Sequence, residues 1–298
     1  MVSDIMSLIG NTPIVKLRKI VKEGSAEIYV KLEYLNPTGS HKDRIAYHMI
    51  KDAEERRLIE PGGMVVEASS GNTAIAVAWI ASLLGYRAKI FVEEGISKAK
   101  VSLMRSLGAE VVEAPLGESN YAEVARKHAE DHGYLFLNQY ENEANVRAHY
   151  ETTGPEIYRQ LNGRLDAFVM GIGTGGTIAG VGRFLKEKLG RRVKVIGVVP
   201  RNSRIIKERG KPDRIEGLAS ELIPGIWRRY SHLVDEIMEV SYDDALQTMR
   251  KLIRYEGILG GLSTGANVHA ALKLAEDIGR GVIATIAPDT ILKYPQLL

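Results

Sequence analysis

Apolar residues along this chain fall into two alternating rhythms. Short runs rich in valine and isoleucine are separated by longer stretches whose apolar positions recur every three or four residues. The runs predict strands at Glu27 to Leu32, Met64 to Glu67, Lys89 to Val92, Glu110 to Glu113, Ala167 to Met170, Val193 to Val199 and Val282 to Ile286. The stretches between them predict helices, among them Lys42 to Arg57, Asn72 to Leu84, Lys98 to Leu107 and Thr177 to Lys188. Alternation of this kind implies right-handed crossovers. The expected fold is therefore α/β, with open, mainly parallel twisted sheets covered by helices on both faces. Continuous apolar runs fit strands buried on both sides. No repeat or low-complexity linker divides the chain. The longest candidate loop is polar, Asn202 to Asp213, and loops of that length are often functional.

Composition narrows the function classes. The 298 residues suffice for one large domain or two smaller ones. A net charge of +3 leaves no dense basic face, so no nucleic-acid partner is expected. There is no apolar run of the roughly 20 residues that a membrane helix needs, so no membrane partner is expected either. The start, Met1-Val2-Ser3-Asp4, lacks the pattern of a signal peptide, and the cytoplasm is the expected location. Cysteine is absent, which excludes disulfides, thiolate metal sites and cysteine nucleophiles. None of the seven histidines shows a metal-ligand spacing, so no catalytic metal is expected.

Small polar turns stand where such folds place chemistry, just after strands. Glu67-Ala68-Ser69-Ser70-Gly71-Asn72-Thr73 opens an apolar helix. Its hydroxyls, amide and backbone N–H groups suit an anion such as a carboxylate, beyond what a helix cap requires. Gly171-Ile172-Gly173-Thr174-Gly175-Gly176-Thr177 follows the strand ending at Met170. Its glycines let backbone N–H groups approach a phosphate. The same turn matches the dinucleotide pattern G-x-G-x-x-G at Gly171, Gly173 and Gly176, but the next strand ends Val198-Val199-Pro200-Arg201 without the ribose-binding acid. An arginine there suits a 2′-phosphate, so an NADP-binding oxidoreductase stands as an alternative. Gly260-Gly261-Leu262-Ser263-Thr264-Gly265-Ala266 also precedes a helix, and by itself reads as an ordinary capped helix start. In Asn36-Pro37-Thr38-Gly39-Ser40-His41-Lys42-Asp43-Arg44, Pro37 and Gly39 make a turn, and Lys42 falls in the first helical turn. There the positive end of the helix dipole favours the neutral, nucleophilic amine.

The segments 36–44, Ser-Gly-Asn-Thr at 70–73, Gly-Thr-Gly-Gly-Thr at 173–177 and Ser-Thr-Gly-Ala at 263–266 together resemble, in that order, the cysteine synthases (O-acetylserine sulfhydrylases). Ile9-Gly10-Asn11-Thr12-Pro13, Asn138-Gln139-Tyr140 and Thr152-Thr153-Gly154-Pro155-Glu156 resemble them too, so the likeness spans nearly the whole chain. This family lies within the fold-type II enzymes of pyridoxal 5'-phosphate (PLP), with serine and threonine dehydratases and cystathionine β-synthases. The resemblance implies a tryptophan-synthase-β-like fold. It implies a small α/β domain over residues 41–140, a large one from 1–40 plus 141–298, PLP in the cleft between them, and a homodimer. It makes Lys42 the catalytic Schiff-base lysine and gives Asn72 to the cofactor's 3′-oxygen. Gly173, Thr174, Gly175, Gly176 and Thr177 would hold the phosphate, and Ser263 would face the pyridine nitrogen. Ser69, Ser70, Thr73 and Gln139 would hold the substrate carboxylate.

A serine at the pyridine nitrogen leaves the ring a weaker electron sink than a carboxylate would, which suits β-elimination better than transamination. The implied reaction is β-replacement. Lys42 removes the Cα proton, the β-substituent of an activated serine departs, and sulfide adds to an aminoacrylate to give L-cysteine. A dehydratase and a cystathionine β-synthase-type replacement are the alternatives within the group. The chain departs from the family at Ser69, where threonine is usual, at Glu93-Glu94-Gly95-Ile96, where a proline is usual, and at Asn142-Glu143-Ala144, where Asn-Pro-Ala is common. Near the end it keeps Pro288-Asp289 and Tyr294 but lacks the glycine that usually follows. The basic stretch Arg201 to Arg214 leads into Ile215-Glu216-Gly217-Leu218, which lines the active-site mouth in the family. If O-phosphoserine replaces O-acetylserine, Arg214 is the expected contact for the phosphate, since a guanidinium fork suits it.

Overall fold

The structure, a computed structural model, describes residues 4–114, 121–206, 211–218 and 223–297. Its strands are β1 (Ile14–Lys16), β2 (Glu27–Leu32), β3 (Met64–Ala68), β4 (Arg87–Glu93), β5 (Glu110–Ala114), β6 (Leu135–Phe136), β7 (Ala167–Gly171), β8 (Lys194–Pro200), β9 (Glu236–Val240) and β10 (Val282–Ala287). Its α-helices are α1 (Lys42–Glu55), α2 (Asn72–Leu83), α3 (Lys98–Ser106), α4 (Tyr121–His132), α5 (Glu143–Ala148), α6 (Gly154–Gln160), α7 (Gly176–Leu189), α8 (Gly225–Tyr230), α9 (Tyr242–Lys251) and α10 (Leu262–Ile278). Each strand expected from the apolar runs is present within two residues at either end. Three strands were not expected from those runs: β1, β6 and β9.

The chain divides into two compact units, Met1–Ile9 with Lys42–Asn145 and Gly10–His41 with Val146–Leu298. The first holds a four-stranded parallel sheet in the order β5-β4-β3-β6. All five residues of β3 are buried. On it pack Ala125 and Ala129 of α4, one turn apart on one helical face.

The second unit holds a six-stranded sheet in the order β1-β2-β10-β7-β8-β9, parallel except for the edge pair β1–β2. Successive side chains of a strand point to opposite faces. Ala167 and Val169 of β7 accordingly join one apolar cluster with Ala266, Ala270 and Leu274 of α10. Phe168 and Met170 join another with Ile178, Val181 and Leu185 of α7. Both faces are thus covered, which is why β7, β8 and β10 read as unbroken apolar runs.

Two of the family-like motifs serve this scaffold. Lys31, on β2, is wholly buried, with its Nζ 2.7 Å from Glu156 Oε2 and donating to the Thr12 carbonyl at 2.9 Å. Thr12 in turn donates to Glu33 Oε1 at 2.6 Å, and Asn36 Nδ2 donates to Glu33 Oε2 at 2.9 Å. Removing one member of such a buried pair costs roughly 3–5 kcal/mol, because the other charge is left uncompensated. The segment ahead of Lys42 is therefore anchored by groups distant in sequence.

Candidate active site

The motifs at 69–73 and 173–177 follow the C-terminal ends of the parallel strands β3 and β7, where ligands of α/β sheets bind, and the motif at 263–266 opens α10. The turns after β3, after β7 and before α10 lead into helices whose cap residues are Gly71, Gly175 and Gly261, none with a side-chain cap bond. The N-terminus of a helix presents backbone N–H groups that suit an anion, and the dipole favours negative charge there.

In the first unit, Lys42 is the first residue of α1 and Asn72 the first of α2. Ser69 is buried, and its Oγ accepts from the Gly71 N–H at 3.3 Å. Ser70 Oγ accepts from the Glu93 N–H at 2.9 Å. Thr73, also buried, donates through its hydroxyl to Gln139 Oε1 at 2.6 Å. Asn145 Nδ2 holds the Gln139 carbonyl at 2.8 Å. Of the residues expected to hold the carboxylate, Thr73 and Gln139 are thus bonded to one another, while Ser70 reaches the end of β4, which flanks β3 on the side opposite β6.

Glu67 closes this group from beneath, a residue that the reading of motifs did not single out. It is 1 % exposed, and its two carboxyl oxygens accept from the Ala68 N–H at 2.9 Å and the Gln139 N–H at 3.3 Å. Burial pushes its pKa up to about 8, against the opposing effect of those two N–H groups and of the Lys42 charge. Tyr121 and Tyr140 stand near it, and burial raises both phenols above their ordinary value.

In the second unit, Gly173 to Thr177 wrap the start of α7. Gly175 adopts the left-handed φ of +89° that turns the chain, a conformation glycine takes at no steric cost. A Cβ on Gly173 would lie 2.4 Å from the Gly217 carbonyl oxygen, so no side chain fits there. Thr174 Oγ1 accepts from the Gly176 N–H at 3.3 Å. Thr177 Oγ1 is hydrogen-bonded to His149 Nε2 at 3.1 Å, and His149 Nδ1 to Thr153 Oγ1 at 2.9 Å. Asn267 of α10 is wholly buried and pins the turn's start, accepting from the Gly171 N–H at 2.8 Å and donating to the Ile286 carbonyl at 2.9 Å. A glycine-lined turn at the positive end of a 14-residue helix fits a phosphate.

Ser263, 5 % exposed, is the second residue of α10. The strand-like segments before Lys42 and before Ser263 are both stitched to the end of β10. The His41 N–H donates to the Pro288 carbonyl at 2.9 Å, and the Gly261 N–H to the Asp289 carbonyl at 3.0 Å. Tyr294 donates to Asp289 Oδ2 at 2.5 Å, so the Pro-Asp and tyrosine of the C-terminal segment fasten this corner. Arg214 is exposed, while Arg201 of the same loop lies 3.4 Å from Asp213. Lys207 and Arg209 of that basic stretch lie outside the described residues.

Residues 5–289 match the family model described as pyridoxal-phosphate dependent enzyme. The chain is 40% identical to a cysteine synthase of Staphylococcus aureus, over 98% of this chain and 95% of that one. An O-ureido-L-serine synthase structure superposes with a TM-score of 0.93 at 37% identity, covering 99% of this chain and 93% of that one. O-acetyl serine sulfhydrylase isoform 3 of Entamoeba histolytica gives 0.92 at 32%, covering 99% and 90%. The two mainly parallel sheets, flanked by helices as in these structural neighbours, define a fold-type II enzyme. The chain belongs to the pyridoxal-phosphate dependent enzyme family, and its glycine-rich turn is read with that cofactor rather than with NADP.

Proposed function

We propose that this chain catalyses β-replacement on an activated L-serine, with sulfide as nucleophile and L-cysteine as product. Likeness to a cysteine synthase over nearly the whole length of both chains supports this reaction. The observation that carries it structurally is the pair of helix starts at glycine caps, one lined by hydroxyls and an amide, the other by glycines. In this reading Lys42 Nζ holds the cofactor, Gly173 to Thr177 hold its phosphate through backbone N–H groups, and Asn72 and Ser263 contact its ring. Bound there, the cofactor supplies an electron sink for the substrate's Cα.

Ser69, Ser70, Thr73 and Gln139 orient the substrate by its carboxylate, which places the Cα–H for removal. Lys42, once released, is the base that moves this proton. Arg214 enters only as a contact for a phosphate leaving group, since acetate needs no cationic partner. The reading includes a homodimer, as the resemblance implies, with a smaller domain of about residues 41–140.

Purified protein should be yellow, with a visible band that borohydride abolishes. Lys42→Ala should keep the fold and lose the covalent link, and a Lys42→Ala protein that turns over at the wild-type rate would overturn the assignment. With O-acetylserine and sulfide the product should be cysteine. Pyruvate as the main product in the presence of sulfide would make the enzyme a dehydratase. The O-ureido-L-serine synthase neighbour makes a different β-substituted serine, so a screen of oxygen nucleophiles and homocysteine against sulfide tests that choice.

A further inference from the structure

Strand β4 runs on past the end of its neighbour β3, and a side chain fills the extra rung. In a parallel pair, alternate N–H groups of a strand face the same neighbour. β3 ends with Ala68 opposite Phe91, and the Ser69 N–H donates to the Phe91 carbonyl at 3.0 Å. The Glu94 N–H turns the other way, to the Ala114 carbonyl of β5 at 3.1 Å. The Glu93 N–H therefore faces the β3 side, where the chain has left the sheet to start α2 at Asn72. Ser70 Oγ accepts it there at 2.9 Å. The β3–α2 turn is thus tied on two sides. Ser70 ties it to β4, and Thr73 ties it to Gln139, just past β6, at 2.6 Å. Between the two ties lies Gly71, where even an added Cβ would meet nothing within 4 Å, so packing does not fix the turn at that point.

We propose that Glu93 is a positioning residue for the substrate carboxylate: its backbone N–H, through the Ser70 hydroxyl, holds the β3–α2 turn in the pose that receives the anion. This rests on the reading of that turn as the carboxylate site, and it narrows the part of Ser70 there to holding the turn. A serine side chain has three staggered rotamers, and the rung selects one of them. The donor is main chain, so it does not titrate and its direction is fixed. It belongs to a strand whose preceding residues Ile90, Phe91 and Val92 are all buried, which gives the turn a rigid support. Position 93 matters here through its N–H and not through its exposed side chain. A proline, usual in the family within Glu93-Glu94-Gly95-Ile96, would have no N–H to give at position 93.

The test pairs Glu93→Pro, which removes the N–H, with Glu93→Ala, which keeps it. The probe is L-alanine, which has the carboxylate and amine but no leaving group, followed by the shift of the cofactor's visible band. Half-saturation should rise about three- to tenfold in Glu93→Pro and in Ser70→Ala, the effect of one hydrogen bond, and keep its wild-type value in Glu93→Ala. Combining Ser70→Ala with Glu93→Pro should weaken binding by less than about twofold beyond the weaker single variant, because both remove the same bond. Ethylamine, which lacks the carboxylate, should bind every protein in the set equally, and melting temperature should fall by a few degrees at most. Should Glu93→Pro fail to fold, an ester in place of the residue 93 amide removes the N–H without adding an atom, and the same rise is expected. Unchanged alanine affinity on loss of the N–H overturns the inference alone. So does a double variant in which the two losses multiply, which would make Ser70 a direct contact. Ethylamine binding as tightly as alanine in the wild type overturns the carboxylate reading, and this inference with it.

Discussion

The two turns proposed to bind anions are built from different materials. The turn after β7 is built from backbone: glycines at 173, 175 and 176, with the side chains of Asn267 and His149 behind it. The turn after β3 is built from side chains: Ser69, Ser70, Asn72 and Thr73, with the ionisable Glu67 behind it. Backbone N–H groups have no titration and little freedom, which suits a resident phosphate. Side-chain donors can re-pair as a ligand comes and goes, which suits an amino acid that must bind and leave. The contrast also divides sensitivity. The first kind of turn should fail on steric change, and the second on changes of proton or hydrogen bond.

Gly173→Ala should give the largest effect. A Cβ 2.4 Å from the Gly217 carbonyl oxygen forces backbone to move, since neither partner is a flexible side-chain end. Overpacking of this kind costs about 1–3 kcal/mol of stability. The N–H groups of the turn also lose their aim, so cofactor affinity should fall by at least about a hundredfold, or some 2.7 kcal/mol at 1.36 kcal/mol per factor of ten. Fluorescence titration of the apo-protein with PLP measures this. Near-wild-type affinity would mean that the turn does not hold the phosphate.

Glu67 should give the next largest effect, and it depends on pH. Its carboxyl has a pKa of about 8 when folded, against an ordinary 4.5. Between these values the folded chain keeps a proton that the unfolded chain releases. Stability from this group is therefore full at low pH and is lost as pH rises toward 8, at up to roughly 1.4 kcal/mol per unit. Glu67→Gln, which cannot ionise, should remove that slope, so the difference between variant and wild type should grow from pH 6 to pH 8. Chemical denaturation at several pH values shows this directly. Lys42 lowers the Glu67 pKa, so Lys42→Ala should carry the falling limb to higher pH. Parallel pH curves for wild type and Glu67→Gln would show that the carboxyl is ionised throughout.

The sequence carried the backbone-built turn more fully than the side-chain-built one. Glycines at fixed spacing after an apolar run are local information, and so are β7, β8 and β10, whose two buried faces leave an unbroken apolar signature. The strands that went unread have no such signature. β1 and β6 span three and two residues, and only one of the five residues of β9, Val240, is buried. Helix α4 buries only Ala125 and Ala129, and alanine is a weak apolar marker among so many charges. The supports of both turns were beyond local reading. Glu67 meets Gln139 across 72 positions and Asn267 meets Gly171 across 96. In the sequence Glu67 is just the polar end of a strand. Its chemistry arises only when β6 delivers the Gln139 N–H beside it.

Thr73 offers the finest discrimination within the side-chain-built turn. Family likeness makes it a direct carboxylate contact, yet its hydroxyl proton lies on Gln139 Oε1 at 2.6 Å. One hydroxyl has one proton, so it cannot serve both acceptors at once. If Thr73 acts by holding Gln139, its loss leaves a buried amide oxygen without a donor, since Gln139 is 3 % exposed and water cannot easily substitute. Thr73→Val should then cost about 1 kcal/mol of stability, with a few-fold loss of alanine affinity and no change in kcat. Thr73→Ser, which restores the proton, should recover both. If the proton instead swings to the substrate on binding, stability of the free enzyme should change little. Alanine affinity should then fall by about 1.5–3 kcal/mol, the range for a hydrogen bond to a charged group. Measuring melting and binding on the same three proteins separates a group that touches the ligand from one that aims its neighbour.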